Sequence, residues 1–238
     1  MHIHTAETEA ATRIAGISSM ATRLVLAELA EAYCQRSGVK AAFESVGGVD
    51  AAKRVQAGEA FDVVVLAADA IDGLIASGHV VAGSRCDLVR SGVAIAVRAG
   101  APKPDIGTEA ALRGAVLSAR TLGYSTGPSG AALTKLLERW GIADSVRDRI
   151  VQASPGVPVG QLVANGEVEL GFQQFSELMH LSGIDLLGPM PPGCEIVSVF
   201  SAGVCATSAR PEAVRALIDF MHSPDVAEAK RRHGMEPA

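Results

Sequence analysis

Three turns along the chain place serine or glycine where a helix is expected to begin. They are Ser18-Ser19-Met20, Gly47-Gly48-Val49 and Pro128-Ser129-Gly130, and each follows a predicted strand. The first turn of a helix has unpaired backbone N–H groups and the positive end of the helix dipole. Such a helix start binds an anion without a charged side chain. One turn alone is explained more simply as a helix cap, but the three together support a site for a small anion equally well.

A second pattern, Gly123-Tyr124-Ser125-Thr126-Gly127, matches the GxSxG turn that presents the nucleophilic serine of α/β-hydrolases. In that turn the helix begins directly after the serine, whereas here Pro128 and a second turn precede a helix predicted from Ala131. No HGGG-like segment for an oxyanion hole precedes the motif. A serine hydrolase is therefore the weakest of three functional hypotheses. Its partner residues would come from His180, His222, His233, Asp185 and Asp219.

Charged residues near these loops have simple structural explanations. Asp62 and Asp69 flank the apolar run FDVVVLAAD, where an acid pair is one interpretation and a strand start plus a helix cap is the simpler one. An arginine near the loops could bind a carboxylate through two hydrogen bonds, although solvated arginines are commoner. The arginines concerned are Arg85, Arg90 and Arg98.

The composition is that of an ordinary globular protein. Apolar residues make up 48% of the 238 residues and charged residues 20%, and the formal net charge is −5. This weak negative charge gives no basis for contact with a phosphate backbone, so no nucleic-acid partner is expected. No run reaches the roughly 18 apolar residues of a membrane helix, so no membrane insertion is expected.

Neither a metal nor an organic cofactor is expected. The cysteines have no CxxC spacing and no histidine at zinc-finger distance. Apolar or helical surroundings favour reduced thiols for three of them, while the disulfide status of all four stays open. His2 and His4 could bind a metal, but a frayed tail explains them more simply. The cysteines are Cys34, Cys86, Cys194 and Cys205.

Short apolar runs alternate with helical patterns, which predicts an α/β fold. The almost wholly apolar run Phe61–Leu66 is typical of a parallel strand that is covered on both faces. Gly38 is expected to end the first helix. Predicted strands are Thr12–Ile17, Val39–Ser45, Phe61–Leu66, Ser91–Arg98, one within Ala115–Tyr124, Arg149–Ala153, Val168–Phe172 and one within Glu195–Thr207. Predicted helices are Met20–Arg36, one capped by Asp50 that runs to Gly58, one capped by Asp69 and closed by Gly78, Ala131–Trp140, Val159–Asn165, one with Pro211 in its first turn, and Ser223–His233, whose run Lys230-Arg231-Arg232 complements the helix dipole.

The order of these elements predicts two lobes, each a helix-flanked and mostly parallel sheet. Lobe 1 comprises residues 12–88 plus 204–238, and lobe 2 comprises residues 96–194. Residues 89–95 and 195–203 are the expected hinge crossings, and residues 1–11 a tail. In such a fold the ligand lies at the carboxyl ends of strands, which predicts a site between the lobes.

Four segments, taken in order, carry a family resemblance. They are GISSMATRLVLAELA, ESVGGVDAAKRVQAGEAFDVVVLAAD, GPSGAALTKLLERWGI and VANGEVELGFQQFSEL. Their order and spacing, rather than any one segment, resemble the molybdate/tungstate-type solute-binding protein family, from about residue 12 to the end. The resemblance implies the type II periplasmic-binding-protein fold, which closes about a hinge on its ligand.

The resemblance also implies a site made of hydroxyl groups and backbone amides from several loops. By position these groups belong to Ser19, the Gly47-Gly48 turn, Ser129, Val157 and Gln174. Together with their neighbours, the candidate ligand-binding residues are Ser18, Ser19, Met20, Gly47, Gly48, Ser129, Gly130, Val157, Gln173 and Gln174.

Two positions depart from the family pattern. The second loop usually supplies a serine, and here it has Gly47-Gly48; the later strand usually supplies a tyrosine hydroxyl, and here it has Gln173-Gln174. A carboxylate-bearing organic anion is therefore at least as well supported as molybdate, since amides and bare N–H groups suit a planar acceptor. A solvent-facing strand end explains Gln173-Gln174 equally well.

Three hypotheses of function follow. The first is a solute-binding protein that delivers a small oxyanion or carboxylate to an ABC permease. The second is an enzyme or sensor on the same fold, specifically an isomerase or tautomerase of an unsaturated carboxylate, with Ser19, Ser129, Gln174 or a histidine acting on the substrate. The third is the serine hydrolase. No secretory signal is visible, which predicts a cytoplasmic protein, or a periplasmic one if a signal has been removed.

Overall fold

The computed structural model describes residues 13–154 and 156–238. They form two compact units: unit 1 contains the described residues up to Arg90 together with Val199–Ala238, and unit 2 contains Ser91–Ser198. The predicted lobe and hinge assignments stay predictions. The tail 1–11, with His2 and His4, lies outside the described residues.

Unit 1 is built on a mixed sheet with helices against it. Its strands are β1 (Arg13–Ser19), β2 (Lys40–Val46), β3 (Val63–Ala67) and β10 (Glu236–Pro237), with parts of β4 (Cys86–Arg98) and β9 (Val197–Val204). Its helices are α1 (Arg23–Ser37), α2 (Gly48–Gln56), α3 (Ala68–Ala76), α9 (Pro211–His222) and α10 (Ala227–Arg232). Strand β1 pairs in parallel with β2 and β3, whereas β3–β9 and β4–β10 are antiparallel. Because β1, β2 and β3 are parallel, their carboxyl ends lie at one edge of the sheet.

Unit 2 repeats this design with different strands. It contains β5 (Leu122–Ser125), β6 (Ile150–Ala153), β7 (Leu170–Gln174) and β8 (Ile184–Pro189), with the remaining parts of β4 and β9. Its helices are α4 (Glu109–Ser118), α5 (Pro128–Arg139), α6 (Ala143–Val146), α7 (Val159–Asn165) and α8 (Phe175–Leu178). Strand β5 pairs in parallel with β6 and β7, and β4 pairs antiparallel with β7 and β8. The carboxyl ends of β5, β6 and β7 therefore share one edge.

Alternate residues of β3 pack into different apolar clusters. Val63 and Val65 belong to the cluster that includes α1 and α9, while Val64 and Leu66 belong to the cluster that includes α2 and α3. All four side chains are at most 1% exposed. The prediction of a strand covered on both faces is therefore confirmed, although the strand begins at Val63 rather than Phe61.

Two predicted helix caps are wrong. The N-cap of α2 is Gly47 and that of α3 is Ala67, so Asp50 and Asp69 lie inside the first turn instead. Both helices begin earlier than predicted, at Gly48 and Ala68, because almost no turn separates them from β2 and β3. An acidic side chain in the first turn still faces the positive end of the helix dipole.

The segment after β4 also differs from expectation. The strand predicted within Ala115–Tyr124 is confirmed as β5, which starts at Leu122, but the helix Glu109–Ser118 before it was not predicted. Thr108 caps that helix, since its Oγ1 accepts a hydrogen bond from the Ala111 N–H at 3.1 Å. The next helix begins at Pro128 rather than Ala131, which places Ser129 and Gly130 in its first turn.

The last predicted helix, Ser223–His233, divides into a 3-10 turn, Pro224–Val226, and α10. Strands β8 and β10 and helix α8 were not predicted. Helix α7 has the predicted bounds, and Gly38 ends α1 in the left-handed conformation with φ of 74°. All four cysteines are free thiols.

Candidate functional site

In unit 1 the first candidate loop lies where β1 ends. Ser18 is opposite Ser45 in the parallel register of β1 and β2, and their Oγ atoms are 2.8 Å apart. The Ser18 hydroxyl also lies 3.3 Å from the Ser19 carbonyl. Ser18 is fully buried and its hydroxyl joins the ends of β1 and β2, so its predicted ligand role stays a prediction.

The neighbouring hydroxyl of Ser19 is different. Its Oγ is buried and has no hydrogen-bond partner among the described residues, although it occupies the position that would cap the 3-10 turn Met20–Thr22. The Ser19 carbonyl is engaged, because Thr22 Oγ1 donates to it at 3.1 Å. A buried hydroxyl normally has a partner, so this atom indicates a place for a polar ligand or a water molecule.

The start of α2 lies beside Ser19. A methyl group built on Gly48 would be 3.7 Å from the Ser19 Cβ, which places the two residues in contact range. The N–H groups of the first turn of α2 have no acceptor within the helix. The structure therefore brings together Ser19 and the Gly47-Gly48 turn, with half-buried Met20 next to them.

In unit 2 the corresponding loop joins β5 to α5. Ser125 Oγ and Ser129 Oγ are 3.4 Å apart, and a Cβ on Gly130 would lie only 1.9 Å from the Ser125 carbonyl oxygen. Glycine at 130 is therefore required for the close approach of helix and strand. The Gly130 N–H donates to the Gly127 carbonyl at 3.0 Å, so it is not available to a ligand in this conformation.

The GxSxG motif does not carry hydrolase geometry. Ser125 Oγ contacts Ser129 Oγ and accepts a long hydrogen bond from the Gly127 N–H, and no histidine bonds to it within the described chain. His222 and His233 belong to unit 1, where His222 Nδ1 contacts the Asp87 carbonyl and His233 Nε2 contacts Glu28.

Gln174 ends β7 and is 3% exposed. Its Nε2 donates to Ser198 Oγ at 2.9 Å, while its Oε1 is buried and unpartnered among the described residues. Rotating the amide by 180° exchanges the two atoms. Ser198 then donates to Oε1, and the NH₂ group is directed at the unfilled position. Ser91 on β4 has a second buried hydroxyl without a partner in the described part of the chain.

Gln173 is engaged differently from its neighbour. Its Oε1 accepts from the Gly160 N–H at 3.1 Å, and its Nε2 donates to Glu177 Oε2 at 2.8 Å. Burial raises the pKa of Glu177 to about 7, and the hydrogen bond from Gln173 lowers it by a smaller amount. The interpretation of Gln173-Gln174 as a solvent-facing strand end is wrong, because both side chains are buried.

Val157 precedes α7. Its side chain is 39% exposed, and its N–H donates to the Ser154 carbonyl at 3.0 Å. The amide that the resemblance assigns to a ligand is thus engaged within its own turn, and its ligand role stays a prediction.

Asp62 and Arg85, two of the charged residues named from the sequence, have structural partners. Asp62 Oδ2 accepts from the Ala15 N–H at 2.9 Å and Oδ1 from Ser208 Oγ at 2.7 Å, which supports the structural interpretation over an acid pair. Arg85 forms ion pairs with Asp72 and Asp87. No group of three or more metal-binding side chains occurs among the described residues, and none of their helices is both long and apolar enough to span a bilayer.

The comparisons with known proteins agree with this architecture. A family model described as bacterial extracellular solute-binding protein matches residues 14–236. The chain belongs to this family. The relative named aconitate isomerase, from Pseudomonas sp, is 38% identical over 231 residues, covering 95% of this chain and 88% of the relative.

Solved structures of other family-like proteins share the fold. The periplasmic molybdate-binding protein of Azotobacter vinelandii has a TM-score of 0.76 at 20% identity, with 93% of this chain and 98% of that chain covered. The sulfate-binding protein SubI of Mycobacterium tuberculosis H37Rv has a TM-score of 0.77 at 17% identity, with 95% and 87% covered. The predicted α/β periplasmic-binding-protein fold and the resemblance to molybdate/tungstate-type proteins are confirmed.

Three residues at these loops were missed from the sequence. Ser45 and Ser198 carry no motif and matter only because they bond to Ser18 and Gln174 across strands. Glu177 follows Gln173 by one helical turn, which is a usable signal, but its burial depends on the tertiary packing.

Proposed function

We propose that this chain binds a small organic polycarboxylate and isomerises an unsaturated tricarboxylate of the aconitate type. The observation that carries the binding step is the buried Ser19 hydroxyl at the carboxyl end of β1, which has no partner in the part of the chain that the structure describes. An anion supplies the acceptor that this hydroxyl lacks, and the adjacent first turn of α2 adds N–H donors and a favourable dipole.

The candidate loops of unit 1 and those of unit 2 carry mainly uncharged hydrogen-bond donors. Unit 1 offers the Ser19 hydroxyl and the start of α2, and unit 2 offers the Ser129 hydroxyl and the Gln174 amide. A carboxylate accepts up to about four hydrogen bonds through its two oxygens, and hydroxyl and amide groups suit it well. Each group of donors, taken by itself, therefore suits a carboxylate.

The isomerase activity is supported by the relative named aconitate isomerase, whose match spans 95% of this chain. Aconitate is an unsaturated tricarboxylate, and moving its double bond requires negative charge to be stabilised next to a carboxylate. Neutral, preorganised donors in a buried setting lower the energy of such a charge. The same loops thus serve substrate binding and the isomerisation step.

Proton NMR of trans-aconitate incubated with the purified chain tests this function. We expect cis-aconitate to accumulate to the same equilibrium ratio from either isomer, and we expect a Ser19→Ala variant to need a higher substrate concentration for the same rate. Binding of trans-aconitate without any isomerisation would contradict the catalytic part. The absence of both would contradict the whole proposal.

A solute-binding protein of an ABC importer is the second candidate, because the family model matches residues 14–236. In that role the chain releases its anion to a permease outside the cytoplasm and catalyses nothing. A thermal-shift series with molybdate, tungstate, sulfate and aconitate separates the candidates. Stabilisation by the inorganic oxyanions, with no response to aconitate, would favour the importer role.

A further inference from the structure

We propose that Glu177 is the carboxylate that removes the allylic proton of the unsaturated substrate and returns it, a role that rests on the proposed function. Glu177 lies on α8, directly after the strand end that carries Gln173 and Gln174. Its side chain is half-buried.

The carboxyl group is held on one side only. Gln173 Nε2 donates to Glu177 Oε2 at 2.8 Å, and Gln173 is itself fixed by the Gly160 N–H at 3.1 Å. Within the described residues the carboxyl makes no other hydrogen bond. The second oxygen is thus left open, as a proton acceptor requires, while the first oxygen fixes the orientation of the group.

The surroundings of Glu177 are nearly free of charge. Strand β7 (LGFQQ) and helix α7 (VGQLVAN) contain no charged residue, and neither does the apolar stretch 93–97 of β4. The charged or titratable groups on the packed elements are Asp185, which pairs with Lys103 at 3.1 Å, Arg98 at the exposed end of β4, and the exposed His180 after α8.

Because no charge compensates it, burial determines the titration of this carboxyl and raises its pKa to about 7. A general acid–base group works best when its pKa is close to the working pH, since both protonation states are then populated. The other carboxyl groups with shifted titration, such as Glu28, Glu109 and Glu169, have lowered pKa values because arginine or tryptophan side chains or a backbone N–H bond to them.

The proposed step balances without a co-reactant. A Glu177 oxygen takes a proton from the substrate methylene carbon, and the C–H electron pair spreads over the three-carbon allyl system. A double bond then forms between the former methylene carbon and the central carbon, while the original double bond becomes single. Glu177 returns its proton to the former vinyl carbon and is regenerated as a carboxylate. The carboxylates of the substrate share the transient charge with the neutral donors of the loops.

The test measures binding and proton removal separately. Exchange of the methylene protons of trans-aconitate in D₂O is followed by NMR, and binding is measured by calorimetry, for the wild type, Glu177→Gln and Glu177→Asp. We expect Glu177→Gln to slow exchange and isomerisation roughly 100-fold or more while the Kd changes by less than about threefold. We expect Glu177→Asp to restore part of the rate and to move the acid limb of the pH–rate profile.

Glu138→Gln on the exposed face of α5 is the matched control, and it should leave exchange, rate and Kd unchanged. If Glu177→Gln exchanges the methylene protons at a rate within about threefold of the wild-type rate, the role of Glu177 is wrong. The proposed function is not contradicted by that result. A wild-type chain that shows neither exchange nor isomerisation would overturn the proposed function, and the role of Glu177 with it.

Discussion

The two units carry candidate loops that follow parallel strands in both cases but differ in their chemistry. At the end of β1, unit 1 has hydroxyl groups: Ser18 contacts Ser45, and buried Ser19 has no partner among residues 13–154 and 156–238. At the end of β7, unit 2 has two amides and a carboxyl whose pKa is about 7. A hydroxyl donates hydrogen bonds without changing its charge at neutral pH, whereas Glu177 changes charge there. On our proposals, unit 1 contributes to ligand binding and unit 2 to both binding and proton transfer.

The largest expected effect concerns pH and unit 2. The pKa of Glu177 is raised from 4.5 to about 7 in the folded chain. Its contribution to stability is therefore complete below about pH 4.5 and is lost as the pH rises through 7. Relative to wild type, Glu177→Gln should gain up to about 3 kcal/mol in unfolding free energy between pH 4.5 and pH 8.5.

Urea unfolding of both proteins at the two pH values measures this difference. Carboxyls with lowered pKa values, such as Glu44 beside Arg54, contribute to stability with the opposite pH dependence. Their contribution is the same in wild type and variant, so it does not affect the difference between them. If the unfolding free energy depends on pH equally in wild type and variant, the pKa of Glu177 is not raised. The proposed difference in chemistry between the two units would then be wrong.

The glycines of the two loops should respond unequally to alanine. A Cβ at Gly130 would meet the Ser125 carbonyl oxygen at 1.9 Å, so Gly130→Ala should lower the unfolding free energy by about 2–3 kcal/mol. A Cβ at Gly48 has 3.7 Å to its nearest neighbour, and Gly48→Ala should change stability by less than about 0.5 kcal/mol. Thermal or urea unfolding of the two variants measures this difference. Equal losses of stability in both would show that the two glycines are not packed differently.

Within unit 1, Ser18 and Ser19 should behave in opposite ways. Ser19→Ala removes an unpartnered hydroxyl, so stability should hold or rise slightly while affinity for trans-aconitate falls about tenfold. Ser18→Ala breaks the 2.8 Å contact with Ser45 and should lower stability by about 1 kcal/mol. Calorimetric titration and urea unfolding of both variants check this. If Ser19→Ala loses more stability than Ser18→Ala, then Ser19, and not Ser18, has the structural role.

Local sequence signals predicted the elements whose ends are marked by glycine or proline. Gly166 ends α7 in the left-handed conformation, and Pro211 starts α9, so both helices were found from the sequence. Helix α4 was missed because its cap, Thr108, lies in a Pro/Gly-rich stretch that reads as a loop. Asp50 and Asp69 were misplaced because α2 and α3 begin almost directly after β2 and β3, before these aspartates.

The candidate site was only partly predictable. Ser19 and Ser129 follow apolar runs at helix starts, which is a local pattern. The bond from Gln174 to Ser198 joins residues 24 positions apart, and Ser18 meets Ser45 only through strand register. The burial of Glu177 depends on the packing of α7, α8 and β8, which no local pattern shows.

Calorimetric titration of trans-aconitate into three variants tests the central claim most directly, namely that uncharged donors hold the carboxylate. The variants are Ser19→Ala, Gln174→Ala and, as the charged alternative, Arg90→Ala. We expect the first two each to weaken binding about tenfold and Arg90→Ala to stay within about twofold of wild type. Unchanged affinity in the first two variants, with a large loss in Arg90→Ala, would contradict that claim.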